Sequence, residues 1–326
     1  MTVRFGVIGT GRITDQLLEG AAMDPRFKLA AVYSRTIERA KEFAGKYGVT
    51  NIFTDFEAMS LSIDAVYIAS PNVFHKEQAM FFLKKGIPIL CEKPLCSNAS
   101  EAKQLIEASQ KYRTPFMEAM VATLNPNFLA LRDHLPKIGT IRKYFASFCQ
   151  YSSKYDNFKK GIIENTFKNE LSNGALVDIG VYTIYPMVVL FGKPKSIHAT
   201  GVMLPSGVDG SGSAIFEYNG MDALVSYSKI SNSSAFAEVQ GEDGNLILNK
   251  INIPRQLHFI SKNKELQDLS VTHCGNDYYY EVREFINLIE AQKIEHEINS
   301  HHHSLIVMEV MDEIRKQVGI IYFADL

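Results

Sequence analysis

The sequence predicts an α/β protein in two parts. A parallel sheet covered by helices on both faces comes first, followed by a second part built on a mainly antiparallel sheet. Three observations carry this prediction. Short apolar runs alternate with amphipathic helical stretches through the first third of the chain. Two of those runs, AVYIA and PIL, are apolar at successive positions, as strands covered on both faces must be. Beyond about residue 140 the pattern becomes one of alternating runs divided by the breakers PSGVDGSG, EYNGMD and GEDGN. A chain of 326 residues is also too long for one ordinary core. The domains are therefore expected at 1–120 and 121–326.

The elements follow in order. VRFGVIG is the first strand and ITDQLLEGAAM the first helix. FKLAAVYS and TIERAKEFAGKYG repeat the pair, and NIFTD is a marginal strand. DAVYIAS leads into the helical NVFHKEQAMFFLKKG, and PILCEK, NASEAKQLIEASQKY and PFMEAM complete the series. In the second part IRKYFASFCQYSS is long and alternating, and a helix is expected over 175–191. SIHATGVML, SAIFEY, DALVSYSKI, AFAEVQG, NLILN and QLHFIS read as antiparallel strands. Two helices, NDYYYEVREFINLIEAQ and SLIVMEVMDEIRKQVG, close the chain. The second carries Leu305, Val307, Met308 and Met311 as a helical stripe.

Composition narrows the function classes. The chain is 46% hydrophobic and 21% charged, as soluble globular proteins are. A net charge of −2 argues against nucleic acid or an anionic membrane as partner. No apolar run is expected to cross a bilayer, and the N-terminus reads as strand and turn rather than a leader. Cys91, Cys96, Cys149 and Cys274 form no C-x-x-C pair, which favours reduced thiols and a cytoplasmic setting. His301, His302 and His303 are consecutive and so diverge around a helix start, which gives no metal site.

GTGRIT follows the first strand directly and opens the first helix. Gly9 permits a tight turn, and Gly11 lets the backbone approach a pyrophosphate. Gly9, Thr10, Gly11, Arg12 and Ile13 are then a dinucleotide-binding loop at a helix N-terminus. Thr14 stands where a smaller residue is usual, and a looser helix–strand contact is expected. The second strand ends in Ser34 and Arg35 rather than in an acid. An acid would repel a 2′-phosphate, whereas an arginine pairs with one, so NADP is expected in preference to NAD. The turn Ser70-Pro71-Asn72 ends the fourth strand. This loop, with Ser70, Pro71, Asn72 and His75, is expected to pass beside the nicotinamide as part of the cofactor site, and Asn72 can also cap the helix starting at Val73.

ILCEKPL places Glu92, Lys93 and Pro94 at the end of a buried strand, where open α/β sheets place ligands. GTGRIT, the ASPN turn with its following histidine, CEKP, and NGALVDIGVYTI occur in that order along the chain. This series resembles the glucose–fructose oxidoreductase, inositol dehydrogenase and MocA family over essentially the whole chain. The resemblance implies an N-terminal Rossmann domain that binds a nicotinamide cofactor. It also implies a C-terminal α/β domain with a large open, mainly antiparallel sheet, through which such proteins often form homodimers or higher homo-oligomers. It implies Lys93 between cofactor and substrate, and Glu92 holding the loop or the nicotinamide ribose.

Asp178 and Tyr182 stand four residues apart on the expected helix and so share a face, with Gly180 leaving room for close approach. Tyr182 resembles the dihydrodiol and xylose dehydrogenase branch. In that likeness Lys93, Asp178 and Tyr182 are the catalytic residues of an oxidoreductase acting on an alcohol or carbonyl. A free tyrosine titrates near ~10. The Lys93 ammonium would favour its phenolate, and Asp178 would hold that ammonium in place. In the segment EAMVATLNPNF, Val121 and Thr123 replace the Trp and Arg of the dihydrodiol branch. This points away from aromatic diols and leaves sugars or polyols as the small-molecule substrate. Met120, Thr123, Tyr155, Phe158 and Asn165 are candidate substrate contacts. The alternative is a cofactor-binding sensor or regulator on the same fold without turnover.

Overall fold

The computed structural model describes residues 1–326, which divide into two compact units. The first comprises Met1–Cys96, Ser100–Ala119 and Asn276–Ser304. The second comprises Ser97–Ala99, Met120–Gly275 and Leu305–Leu326. After the short excursion at Ser97–Ala99, the chain passes from the first unit to the second between Ala119 and Met120. The helix Asp277–Glu290, expected in the second part, belongs to the first unit. It packs on helix Arg12–Ala21 at Gly20, where an added Cβ would lie 2.7 Å from the Tyr279 nitrogen. An amphipathic period shows that a helix has a buried face, but not which sheet that face covers.

In the first unit the strands are β1 (Val3–Ile8), β2 (Phe27–Tyr33), β3 (Ile52–Phe53), β4 (Ala65–Ile68), β5 (Ile89–Glu92) and β6 (Phe116–Ala119). They form one sheet in the order β3-β2-β1-β4-β5-β6, and every pair is parallel. β4, β5 and β6 are buried at every position, which explains the apolar run AVYI in β4 and the apolar start of β5. The chain steps outward from β1 to β3 and returns to β4 on the other side of β1. This reversal leaves a crevice at the carboxyl ends of β1 and β4, where open α/β sheets bind ligands.

In the second unit the strands are β7 (Ile141–Cys149), β8 (Ser196–Met203), β9 (Asp209–Glu217), β10 (Asp222–Ser228), β11 (Ala237–Gly241), β12 (Gly244–Leu248), β13 (Leu257–Ser261) and β14 (Leu266–Asp268). Their order is β14-β13-β12-β11-β7-β10-β9-β8, with β7 and β10 parallel and the other pairs antiparallel. The stretch from Asp209 to Gly212, expected as part of a breaker, starts β9 instead. The glycine there serves packing: a Cβ on Gly212 would lie 2.4 Å from the Tyr227 hydroxyl on β10.

The expected helix over 175–191 begins with a π-helical turn, Leu176–Gly180, and continues as the α-helix Val181–Phe191. A Cβ on Gly180 would meet the Tyr227 ring at 3.0 Å, so the missing side chain lets this helix seat on β10. The expectation that no apolar run is long enough to cross a bilayer is corrected here. Asn169–Phe191 spans 23 residues, and its most apolar 18-residue window has a mean hydropathy of 1.7, but 72% of that window is buried. Its apolar length is that of a core helix.

Candidate active site

The glycine loop is built as a phosphate cradle. Gly9 has φ +106°, and a Cβ there would lie 2.3 Å from the Ala69 carbonyl oxygen, so only glycine closes this turn. A Cβ on Gly11 would meet nothing within 4 Å, which leaves its backbone open to a ligand. Helix Arg12–Ala21 starts immediately afterwards, with its first N–H groups ahead of the intrahelical ladder. These residues fit a dinucleotide pyrophosphate. Thr14 does not loosen the contact as expected. It is fully buried, and its hydroxyl donates to the Gly9 carbonyl at 2.9 Å, fastening the turn.

At the end of β2, Ser34 is half-buried and Arg35 exposed, with the Arg35 guanidinium 5.9 Å from the centre of the Phe74 ring. Arg39 joins them. Its Nε donates to the Thr10 hydroxyl at 2.8 Å and so ties a second cation to the glycine loop. At the end of β4, Ser70 donates to Gln78 at 2.7 Å. Asn72 is not the expected cap, because it starts a 3-10 turn, Asn72–Phe74, and the helix begins after it at His75. His75 is fully buried. Its Nδ1 lies 3.0 Å from the Pro94 carbonyl oxygen and its Nε2 lies 2.8 Å from that of Ser70. The ring thus ties two turns together, and its burial depresses its pKa below the usual histidine range.

The turn after β5 rests on buried polar groups. The Tyr67 hydroxyl donates to Glu92 Oε1 at 2.5 Å, and the Lys93 N–H lies 3.3 Å from Oε2 of the same carboxylate. The Lys93–Pro94 peptide is cis. Past the proline, the Leu95 N–H donates to Glu118 Oε1 at 3.0 Å. Glu118 is buried, and that burial pushes its carboxyl up to about 7. Lys93 is half-exposed at the top of this assembly.

In the second unit Asp178 lies within the π-helical turn, a distortion that often marks functional sites. The sequence reading has it holding Lys93. Within its own unit its ion-pair partner is Lys229, just past the end of β10 and nearly buried. The Thr166 hydroxyl approaches the same carboxylate at 3.4 Å. Tyr182 follows on the α-helix, with its ring edge-on to Phe148 at 5.6 Å. Below the turn, Asp209 Oδ2 accepts the Leu176 N–H at 2.8 Å, and burial pushes this carboxyl too up to about 7.

The candidate substrate residues fare differently. Tyr155 and Phe158 pack on Phe167 at 5.8 and 5.2 Å, in a small cluster with Leu204, Val208 and Ile230. They anchor their own loop. Asn165 uses its carbonyl oxygen to accept from Asn173 at 2.8 Å. Met120 and Thr123 are fully buried, and the Thr123 hydroxyl donates to the Met120 carbonyl at 2.9 Å. Arg39, Glu118, Asp209 and Lys229 escaped the sequence reading. Of these only Arg39 left a usable signal, a second cation four residues past Arg35.

A parallel sheet with a reversal at β1, a glycine turn against a helix N-terminus and cations at the end of β2 define a dinucleotide-binding protein. Residues 3–120 match the oxidoreductase family with an NAD-binding Rossmann fold, and residues 135–247 match the GFO/IDH/MocA C-terminal domain. The chain belongs to the GFO/IDH/MocA oxidoreductase family, as the sequence motifs imply. It is 48% identical to scyllo-inositol 2-dehydrogenase (NADP(+)) IolU of Bacillus subtilis, over 99% of both chains. It is 26% identical to trans-1,2-dihydrobenzene-1,2-diol dehydrogenase of Mus musculus, over 100% of this chain and 99% of the other. Its fold matches KijD10, a 3-ketoreductase from Actinomadura kijaniata solved with NADP and TDP-benzene. The TM-score is 0.85 at 23% identity, with 98% of each chain covered.

Proposed function

We propose that this chain is an NADP-dependent dehydrogenase of a cyclic polyol or sugar, with Lys93 and Tyr182 sharing the proton transfer. The observation that carries this reading is where the four motif turns stand on the sheet. Gly9–Ile13, Ser34–Arg35, Ser70–Asn72 and Glu92–Pro94 all stand at or just past the carboxyl ends of β1, β2, β4 and β5, beside the sheet's reversal. Arg35 and Arg39, with no acid at the end of β2, favour the 2′-phosphate. The likeness to a scyllo-inositol 2-dehydrogenase supports a ring hydroxyl as the reacting group.

When bound, the nicotinamide accepts or returns the hydride of the carbinol carbon. The chain's own residues handle the proton. Tyr182 takes it from the hydroxyl on oxidation and returns it on reduction, Lys93 keeps the phenolic oxygen receptive, and Asp178 is held in orientation by Lys229. The eight-stranded sheet supports a homo-oligomer. Its register puts Val202, Thr200 and His198 of β8 on one face with Ser211, Ser213 and Ile215 of β9, and Val202 and Ile215 are exposed there. Light scattering during size-exclusion chromatography reads the oligomeric state. The thiol state of the four cysteines fits a cytoplasmic setting.

The test is calorimetric titration with NADPH and NADH side by side, followed by turnover assays with scyllo-inositol and a trans-dihydrobenzenediol. Tighter NADPH binding and turnover of the inositol are the expected results. Preference for NADH overturns the reading of Arg35 and Arg39, and turnover of the aromatic diol alone overturns the polyol assignment.

A further inference from the structure

Two buried carboxyl groups have no place in the chemistry above, yet each lies directly behind a motif turn. Glu118, at the end of β6, accepts the Leu95 N–H at 3.0 Å, two residues past Lys93. The Ser304 hydroxyl also donates to this carboxyl, and Oε2 is buried without a hydrogen-bond partner. Asp209, at the start of β9, accepts the Leu176 N–H at 2.8 Å, two residues before Asp178. Its Oδ1 is likewise buried without a partner. The NGALVDIGVY segment makes room for this carboxyl: Gly174 has φ +143°, and a Cβ there would lie 2.2 Å from Asp209 Oδ1.

A buried carboxyl with one oxygen unused is an expensive way to fill space. Each is bonded instead to a backbone N–H of the turn that presents a reactive side chain. We propose that Glu118 and Asp209 are positioning residues, which fix the Lys93 turn and the Asp178 turn through the Leu95 and Leu176 amides. The proposal rests on the reading of Lys93 and Asp178 given above. The ionisable groups around Glu118 are Cys91, Glu92 and Lys93 on the β5 side. Those around Asp209 are Lys229 and Tyr227 past and on β10, and Tyr322 near the C-terminus.

The role requires an acceptor oxygen and does not require a charge. Glu118→Gln and Asp209→Asn keep that oxygen, whereas Glu118→Leu and Asp209→Leu remove it. Each variant is compared with the wild type by amide hydrogen exchange at Leu95 and Leu176, and by kcat and KM. Each leucine variant is expected to lose exchange protection at its own amide and leave the other unchanged. Its kcat should fall about 10²-fold, as small displacements of a reacting group do, with little change in the KM for NADP. The amide variants are expected to keep protection and most of kcat. Folded leucine variants with wild-type protection overturn the proposal, as do amide variants as impaired as the leucine ones. Where a leucine variant does not fold, the amide variant decides: loss of protection at its turn overturns the proposal, and retention supports it. Exchange is read without substrate. Failure of the polyol assignment would therefore show as absent turnover with these exchange differences intact.

Discussion

The two motif turns reach the same end by different physics. The turn carrying Lys93 is held by polar groups. Tyr67 and the Lys93 amide meet Glu92, His75 meets the Pro94 carbonyl, and Leu95 meets Glu118, all in the interior of the first unit. The turn carrying Asp178 adds shape to one such buried bond, from the Leu176 N–H to Asp209. Its π-helical widening is seated on the Tyr227 ring through Gly180, and one ion pair with Lys229 faces partly outward. A strand end has no intrinsic geometry beyond the last ladder bond, so side chains must define it. A helix start leaves its first N–H groups outside its own ladder, so it needs an acceptor, here Asp209, as well as a surface to lie on.

The largest effect is expected at Lys93, the group proposed above to share the proton transfer. Lys93→Met removes the ammonium and leaves the backbone bonds of its turn untouched. The expected result is a fall in kcat of about 10³-fold, within the range for a proton-transfer group, with NADPH affinity preserved in titration. A loss of NADPH affinity with kcat unchanged at saturating cofactor would show that Lys93 serves binding alone.

The next effect is a pH dependence of stability shared by both turns. Burial raises Glu118 from its ordinary 4.5, and Asp209 from its ordinary 3.8, to about 7. The folded chain therefore holds these protons more tightly than the unfolded chain does. Their contribution is most favourable below the unfolded values and is lost as pH rises through about 7. Across that window the raised carboxyl is worth about 3 kcal/mol for Glu118 and about 4 kcal/mol for Asp209, at 1.36 kcal/mol per pH unit. Denaturant titrations between pH 4 and 8 should show the fall in the wild type and a shallower one in Glu118→Gln and Asp209→Asn. A wild-type profile that the amide variants reproduce would mean that neither carboxyl stays protonated in the folded chain.

Lys229→Met tests the difference between the turns. It strips Asp178 of an ion pair, but the Asp178 side chain is 34% exposed and water can replace much of what is lost. A reduction in kcat/KM of about tenfold is expected, equivalent to 1.4 kcal/mol, with a melting temperature within a few degrees of wild type. A loss as large as that of Lys93→Met would place Lys229 among the groups touching substrate.

The legibility of these features in the sequence follows the same division. Alternating strands and helices, the glycine turn and the E-K-P strand end were readable, because each depends on residues close in the chain. The Asp209–Gly212 start of β9 was misread because its glycine serves a tyrosine on another strand. Thr14 looked like a flaw in a glycine motif and proved to be a fastening. Glu118, Asp209 and Lys229 were invisible for a plainer reason. A carboxylate or ammonium in a sequence looks solvated until the fold buries it, and nothing nearby in the chain says which one will be buried.

The smallest effect concerns the surface on which the second turn lies. Tyr227 is confined between two glycines. A Cβ on Gly180 would meet its ring at 3.0 Å, and one on Gly212 would meet its hydroxyl at 2.4 Å. The ring is buried and cannot swing aside, and its hydroxyl has no hydrogen-bond partner. Gly180→Ala gains helix propensity of up to ~1 kcal/mol but overpacks this contact by about 1–3 kcal/mol. A small net destabilisation is expected. Tyr227→Phe removes a buried hydroxyl that nothing satisfies and should be neutral or stabilising by about 1 kcal/mol. It leaves the ring on Gly180, so the turn and kcat should persist. Thermal unfolding of the two single variants and the double variant separates the contributions. If Tyr227→Phe destabilises instead, the hydroxyl has a bonding role, and the second turn depends on a further polar group besides Asp209.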